Sequence, residues 1–267
     1  MHIQGKTALI TGASRGIGRA IALEFAAQRA GRLLLVARDR ALLAEVVAEI
    51  QALGVDAIAV PLDLSQPVDV SIAIAQLWRD HGPIHCLVNC AGVAHQSTFL
   101  QSRLPQVQEE IAINLMGMYT ITRLVARRMV TQREGTIINV SSLMGKLAAP
   151  TMATYSATKF AILGFTQALR GELAAHNIRV LALLPSLTDT DMVRDLRWFR
   201  WIAPVSSQTV ARALVGGLKQ DRPEILVGWQ SHLAILGHRL VPSAVERLLR
   251  WAAPLPKQPR RAYSSLR

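Results

Sequence analysis

The chain is short of several residue types, and each shortage removes a class of protein. Only two of its 267 residues are cysteine, Cys86 and Cys90, both in the strand-like run Ile84 to Cys90. Four strand residues at ~3.3 Å each hold them about 13 Å apart, too far for a disulfide or a shared metal. They read as buried thiols. The seven histidines stand in no motif, and His95 and His232 read as ordinary structural histidines rather than pocket residues. No His/Cys/carboxylate cluster has ligand spacing, so no metal is expected. Aromatic residues make up only 5%, and acidic residues are outnumbered, 18 Asp and Glu against 30 Lys and Arg. The net charge of +12 suits nucleic acid, an anionic membrane surface or acidic ligands. With no nucleic-acid motif and so few aromatics, no nucleic-acid partner is expected. No apolar run reaches the eighteen or so residues of a membrane-spanning helix. With the first strand-like run at Lys6 to Thr11, no signal peptide is expected. A cytoplasmic protein, soluble or peripheral at a membrane surface, is the expectation.

What the chain does have is apolar residues, 51% of the total, enough for the core of one large domain. Apolar runs of strand length fall near 6–11, 32–37, 55–60, 84–90, 135–141, 178–184 and 224–228. Amphipathic stretches of helix length fill the gaps near 16–29, 40–53, 66–80, 104–132, 152–176 and 207–219. Runs such as Leu33-Leu34-Leu35-Val36 are apolar throughout, as in strands covered on both faces. The alternation predicts an α/β fold, a doubly wound parallel sheet of seven strands with helices on both faces. Ligands of such sheets lie at the carboxyl ends of the strands.

Those ends carry the chemistry. The first strand runs through Thr11-Gly12-Ala13-Ser14-Arg15-Gly16-Ile17-Gly18 into a helix, a glycine turn that lets backbone approach a pyrophosphate. After the second strand, where a carboxylate would hold the ribose of NAD, stands Arg38. An arginine there clamps a 2′-phosphate, Arg15 reaches the same group, and the expected cofactor is NADP(H). Asp63-Leu64 ends the third strand, where the carboxylate either accepts from the adenine amine or caps the next helix. Asn89-Cys90-Ala91-Gly92 ends the fourth, with small residues that leave room for a cofactor. Asn114 sits mid-helix among apolar neighbours, bonded locally or linked to a polar site. Ser142 leaves the fifth strand, and Tyr155 and Lys159, four residues apart, share a helix face. A fixed positive charge beside a tyrosine favours the phenolate. Lowering its pKa from about 10 to about 7 needs about 4 kcal/mol, and would make it a proton donor and acceptor at neutral pH.

Taken in order, Thr11-Gly12-x-x-x-Gly16-x-Gly18, Asn89-x-Ala91-Gly92, Asn114, Ser142, Tyr155-x-x-x-Lys159 and Pro185 followed by Thr190 resemble one family. It is the short-chain dehydrogenase/reductase family in its one-domain, Rossmann-type form, matched over about residues 5 to 192. The resemblance implies an NADP(H)-dependent oxidoreductase interconverting a carbonyl and an alcohol. It implies that Tyr155 is the acid/base, that Ser142 polarises the substrate oxygen, and that Lys159 grips the nicotinamide ribose and tunes Tyr155. Asn114 would position a relay water, Thr190 would bind the carboxamide, and Pro185, Leu187 and Thr188 would approach it through backbone. A homo-oligomer, dimer or tetramer, packed through the helices near 104–132 and 152–176, is implied as well. Two positions depart from the family: Cys90 replaces a second asparagine, and Ser186 replaces a glycine. A 3-oxoacyl thioester on a carrier protein rivals a free apolar or lipid-like carbonyl as substrate. A regulatory NADP-binding protein without catalysis is the alternative from another class.

Beyond Met192 the chain follows no family pattern. Arg194 to Ile202 carries Trp198, Phe199 and Trp201 and falls where a substrate lid, about 192–206, is expected. Contact with a membrane or subunit, or a helix packed on its own domain, fits the same residues. Residues 1–228 are expected to form the catalytic domain and 229–267 a basic extension. Its two amphipathic helices, Ser231 to Leu240 and Ser243 to Trp251, suit either peripheral membrane contact or packing on the protein. Disorder is expected beyond Leu255.

Overall fold

The computed structural model describes residues 1–194, 196–197, 199–200 and 202–254. The lid residues Asp195, Trp198 and Trp201 and the stretch beyond Leu255 expected to be disordered therefore lie outside the described residues. The chain opens with β1 (Thr7–Thr11), α1 (Gly16–Ala27), β2 (Arg32–Ala37), α2 (Arg40–Ala52), β3 (Asp56–Pro61), α3 (Pro67–His81) and β4 (Cys86–Asn89). It continues with α4 (Leu104–Ile111), α5 (Met118–Gln132), β5 (Gly135–Val140), α6 (Ala153–Ala174) and β6 (Ile178–Leu184). A short pair, β7 (Thr188–Asp189) and β8 (Val205–Ser206), brackets the one-turn α7 (Asp191–Arg194). Last come α8 (Ser207–Lys219), β9 (Glu224–Leu226), α9 (Trp229–Leu240) and α10 (Pro242–Ala252).

Seven strands form one parallel sheet in the order β3-β2-β1-β4-β5-β6-β9. The wholly apolar strands serve both faces by strict alternation. Ala8, Ile10, Leu33, Leu35, Cys86 and Val88 pack with Ile21 and Phe25 of α1 and Leu214 of α8. Leu9, Leu34, Val36, Leu87 and Ile137 face the other way, against Ile74 of α3 and Ile121, Val125 and Met129 of α5. The order reverses between β1 and β4, so the crevice of the fold opens over their carboxyl ends. Among the described residues, no helix is long and apolar enough to cross a membrane.

Three boundaries differ from expectation. The single helix expected over 104–132 is interrupted by a π-helical turn, Ala112–Gly117, which carries Asn114. The fourth strand stops at Asn89, so Cys90 stands just past its end. The tail helices begin earlier, at Trp229 behind Gly228 (φ 91°) and at Pro242 itself, where a proline fits the first helical position.

Asn89 is also placed differently from its expected role. Its side chain turns into the core, where Nδ2 donates to Thr122 Oγ1 and Asn139 Oδ1, each at 2.8 Å. Asn139 Nδ2 in turn donates to Thr166 Oγ1 at 2.9 Å, tying β4 and β5 to α6. Loss of a buried hydrogen-bonding partner costs about 1–3 kcal/mol. Asn139→Ala should lower the urea unfolding midpoint by that order of stability. An unchanged midpoint would show that the chain of amides contributes nothing.

Candidate active site

Over the switch point lies a cleft of about 760 Å³. Its lining includes Gly12, Ser14, Arg15, Gly16, Ile17 and Gly18 from the first turn, Arg38, Asp63 and Leu64 from the next two strand ends, and Cys90, Ala91 and Gly92 from β4. Tyr155, Lys159 and Thr190 line its far side. Asn89, Asn114, Ser142, Pro185, Leu187 and Thr188 are not among the residues that line it.

The floor is backbone. A Cβ on Gly12 (φ 68°) would stand 2.8 Å from Ala91 Cα, and one on Gly18 would run into the Gly12 carbonyl. Thr11, within the first motif, draws the two strand ends together: its Oγ1 accepts from Cys90 N at 3.0 Å and Ala91 N at 3.1 Å. The first turn of α1 has no side-chain cap and no acidic residue, leaving its N–H groups for an anion. Asp39, next to Arg38, also lines the cleft, and its carboxylate accepts from Leu42 N and caps α2. Asp63 caps no helix. Its Oδ1 accepts from Ser65 N at 2.9 Å in a local turn, while α3 begins after Gln66. The residues present therefore fit a phosphorylated dinucleotide, with a bare helix end, two arginines and a floor that no side chain obstructs.

At the other end, Lys159 is 4% exposed and its Nζ donates to the Val140 carbonyl at 3.0 Å. The ammonium lies 5.4 Å from the centre of the Tyr155 ring. A Cβ on Gly92 would be 3.2 Å from Asn114 Oδ1 and 3.7 Å from Lys159 Nζ, so that glycine separates two polar groups by one backbone thickness. Asn114 grips Val93 at both ends, accepting from its N at 2.8 Å and donating to its O at 3.0 Å, and also donates to Thr158 Oγ1. Ser141 lines the cleft but donates to the Lys159 carbonyl at 2.8 Å, which anchors α6. Ser142 Oγ accepts from Met144 N and lies beside the phenol.

The tyrosine corrects one expectation. Burial pushes the Tyr155 phenol up to about 12, with the neighbouring Ser142 hydroxyl working the other way. The cation expected to lower it does not prevail, because Lys159 is itself buried and held down at about 8. Cys90 differs too: it is half-buried and lines the cleft, and burial lifts its thiol to about 12, so it stays protonated.

Sequence reasoning passed over three residues at the rim. His95, read as structural, lines the cleft with Nε2 3.0 Å from Glu109 Oε2. Glu109 also faces Arg38 at 3.7 Å. Glu110 is 1% exposed, accepts from His95 N at 2.5 Å and has its carboxyl pKa raised by burial. No motif marks a Glu-Glu pair, though Glu110 lies one helical turn before Asn114, and together they pin Val93 to His95.

The surroundings of Tyr155 are apolar on one side. Ala149, Met152, Phe199, Ala252 and Ala253 form a buried cluster with Ala94, Met144, Leu196, Ile202 and Tyr155 packed against it. Phe199 of the expected lid thus closes onto the body of the protein, and the end of α10 closes with it.

A doubly wound sheet with a dinucleotide-sized cleft, a half-buried tyrosine and a buried lysine beside it defines a nucleotide-dependent oxidoreductase. The chain belongs to the short chain dehydrogenase family, whose model matches residues 6–200. It is 31% identical to the ketoacyl reductase HetN of Nostoc sp. over 258 residues, 93% of this chain and 90% of that protein. It is 37% identical to a 3-oxoacyl-[acyl-carrier-protein] reductase of Synechocystis sp. over 194 residues, 73% of this chain and 78% of that one. A short chain dehydrogenase of Burkholderia cenocepacia, solved in complex with NADP, superposes with a TM-score of 0.81 at 26% identity, covering 93% and 99% of the two chains.

A stability prediction follows from Lys159. Below pH 8 both folded and unfolded chains hold the proton, and the full cost of burying it is present. From there up to the free-lysine value of 10.5, the unfolded chain binds the extra proton, so stability rises with pH. Between about pH 7 and about pH 9.5 the urea midpoint of the wild type should gain on that of Lys159→Met. A constant difference would place the lysine at its ordinary value.

Proposed function

We propose that the chain is an NADP(H)-dependent oxidoreductase that interconverts an apolar, lipid-like carbonyl compound and its alcohol. The observation that carries this reading is the Tyr155 phenol, which faces the cleft from within an apolar cluster. A nicotinamide dinucleotide, when bound, supplies the hydride. Tyr155 carries the proton to or from the substrate oxygen, and a phenol held up at about 12 stands protonated at neutral pH, the form that donates when a carbonyl is reduced. Ser142 bonds the same oxygen and orients it. Lys159, a cation below about pH 8, favours the phenolate left behind and holds the nicotinamide ribose. Asn114 fixes the Val93 backbone beside Lys159 and positions a water for the relay. Thr190, at the base of the lid, takes the carboxamide, with Pro185, Leu187 and Thr188 supporting it. Arg15 and Arg38 take the 2′-phosphate, with Arg38 released from Glu109. That the relative solved from B. cenocepacia holds NADP supports the choice of cofactor.

The net charge of +12 and the two reductase relatives favour one further reading, a 3-oxoacyl thioester presented on an acidic carrier protein. Exposed Leu104, Ile111, Met116, Tyr119 and Phe160 on α4 to α6 and the π turn form an apolar face suited to a homo-oligomer, dimer or tetramer.

Turnover with NADPH over chain-length-graded ketones, aldehydes and oxoacyl thioesters tests the reading. Long apolar carbonyls should be reduced best, and Tyr155→Phe should lower kcat/KM about 10³-fold. Full activity in that variant would remove Tyr155 from the chemistry. Tight NADPH binding without turnover on any of the panel would favour a regulatory protein. Arg38→Asp should weaken NADPH about 10- to 100-fold and narrow or reverse its advantage over NADH. Equal use of both cofactors by the wild type would dismiss the arginine's role.

A further inference from the structure

The last two helices keep their most apolar faces outside. In α9, Trp229, Leu233, Leu236 and Leu240 recur at i, i+4, i+7 and i+11, which places them within an arc of about 60°. All four are more than half exposed, at 71%, 58%, 54% and 71%. Val241 follows at the turn, and α10 adds Leu248 and Trp251, one helical turn apart and likewise more than half exposed. The opposite sides are used by the fold. Ser231 is buried and donates to the Val227 carbonyl, and the two helices meet at Gly237, where a Cβ would touch Val245 at 3.4 Å.

Charge accompanies these faces. Arg239 borders the stripe on α9, Arg247 and Arg250 stand on α10, and Lys257, Arg260, Arg261 and Arg267 follow in sequence. Glu246 is the one carboxylate side chain from Trp229 to the end, so seven cations against one anion account for half of the net +12. A second copy of the chain docked face to face would bring Arg239, Arg247 and Arg250 together, with Glu246 as the one carboxylate on the two helices. Anionic headgroups neutralise them, and the acyl boundary takes the tryptophans and leucines.

We propose that α9 and α10 form a docking surface for an anionic lipid bilayer. The surface ends at the active site: the Ala252 carbonyl accepts from Arg200 N at 3.1 Å, and Ala252 and Ala253 pack with Phe199 of the lid. Docking there sets the Tyr155 end of the cleft against the phase in which a lipid-like substrate dissolves. Binding itself does not depend on the catalytic reading and is measured without turnover.

The test is co-sedimentation of the full-length protein with phosphatidylcholine vesicles, and with the same vesicles containing about 30% phosphatidylglycerol. Recovery with the anionic vesicles should be about tenfold higher and should fall in high salt, as charges near a surface are screened. Leu236→Asp/Leu240→Asp should stay in the supernatant with an unchanged melting temperature and elution volume. Arg239→Glu/Arg247→Glu, which alters no apolar side chain, should lose the anionic preference as well. The proposal is overturned if the wild type stays in the supernatant with both vesicles or pellets equally with both. It is also overturned if the charge-reversed variant pellets undiminished. A smaller oligomer from the leucine variant, with no vesicle binding by the wild type, would instead mark a contact between copies of the chain.

Discussion

A single ammonium, that of Lys159, constrains this molecule more than any other group. Removing a cation from water is costly, and here the Val140 carbonyl returns only part of that cost, so the proton is held less tightly than in a free lysine. The surroundings are built to keep the group in place. Ser141 ties the lysine's own carbonyl to the end of β5, Gly92 brings the β4 end within reach without a side chain, and Asn114 fixes the next residue, Val93. The sheet makes this possible because its order reverses beside β4, leaving the strand tips free of a covering crossover. Lys159 thus faces both Tyr155 and the cleft from a position that solvent scarcely reaches.

Much of the fold was legible in the sequence, for a specific reason. Strands buried on both faces need continuous apolar runs, and no polar residue interrupts Leu33 to Val36 or Val180 to Leu184. The Tyr155–Lys159 pair was legible because four residues is a fixed geometric offset on a helix. What escaped were features decided by tertiary contact. The π turn at Ala112–Gly117 carries Asn114, whose partners Val93 and Thr158 are distant in sequence. The side-chain direction of Asn89 depends on Thr122 and Asn139, distant in sequence. His95, Glu109 and Glu110 stand in no recurrent spacing, so nothing short of their juxtaposition marks them. The direction of the Tyr155 shift is decided by desolvation, which spacing along a helix does not reveal.

The two departures from the family pattern are absorbed differently. Cys90 contributes backbone N–H to Thr11 and a protonated thiol to the cleft wall, so losing an asparagine there leaves the strand ends joined. Ser186 accepts through its carbonyl from Thr188 Oγ1, and its side chain meets Gly228, the residue from which α9 departs. The segment under Thr190 is therefore packed against the start of the chain's most individual region. Phe199 of the expected lid, the end of α10 and Tyr155 share one apolar cluster.

The central claim is that Tyr155 and Lys159 serve hydride transfer to a carbonyl carbon. It is tested most directly by reducing a long-chain ketone with NADPH deuterated at the transferable position of nicotinamide C4 and analysing the product by mass spectrometry. The account predicts an alcohol carrying one deuterium on its carbinol carbon from the wild type and almost none from Tyr155→Phe. Bound NADPH with no deuterium in any product, or equal labelling by the phenylalanine variant, would contradict it.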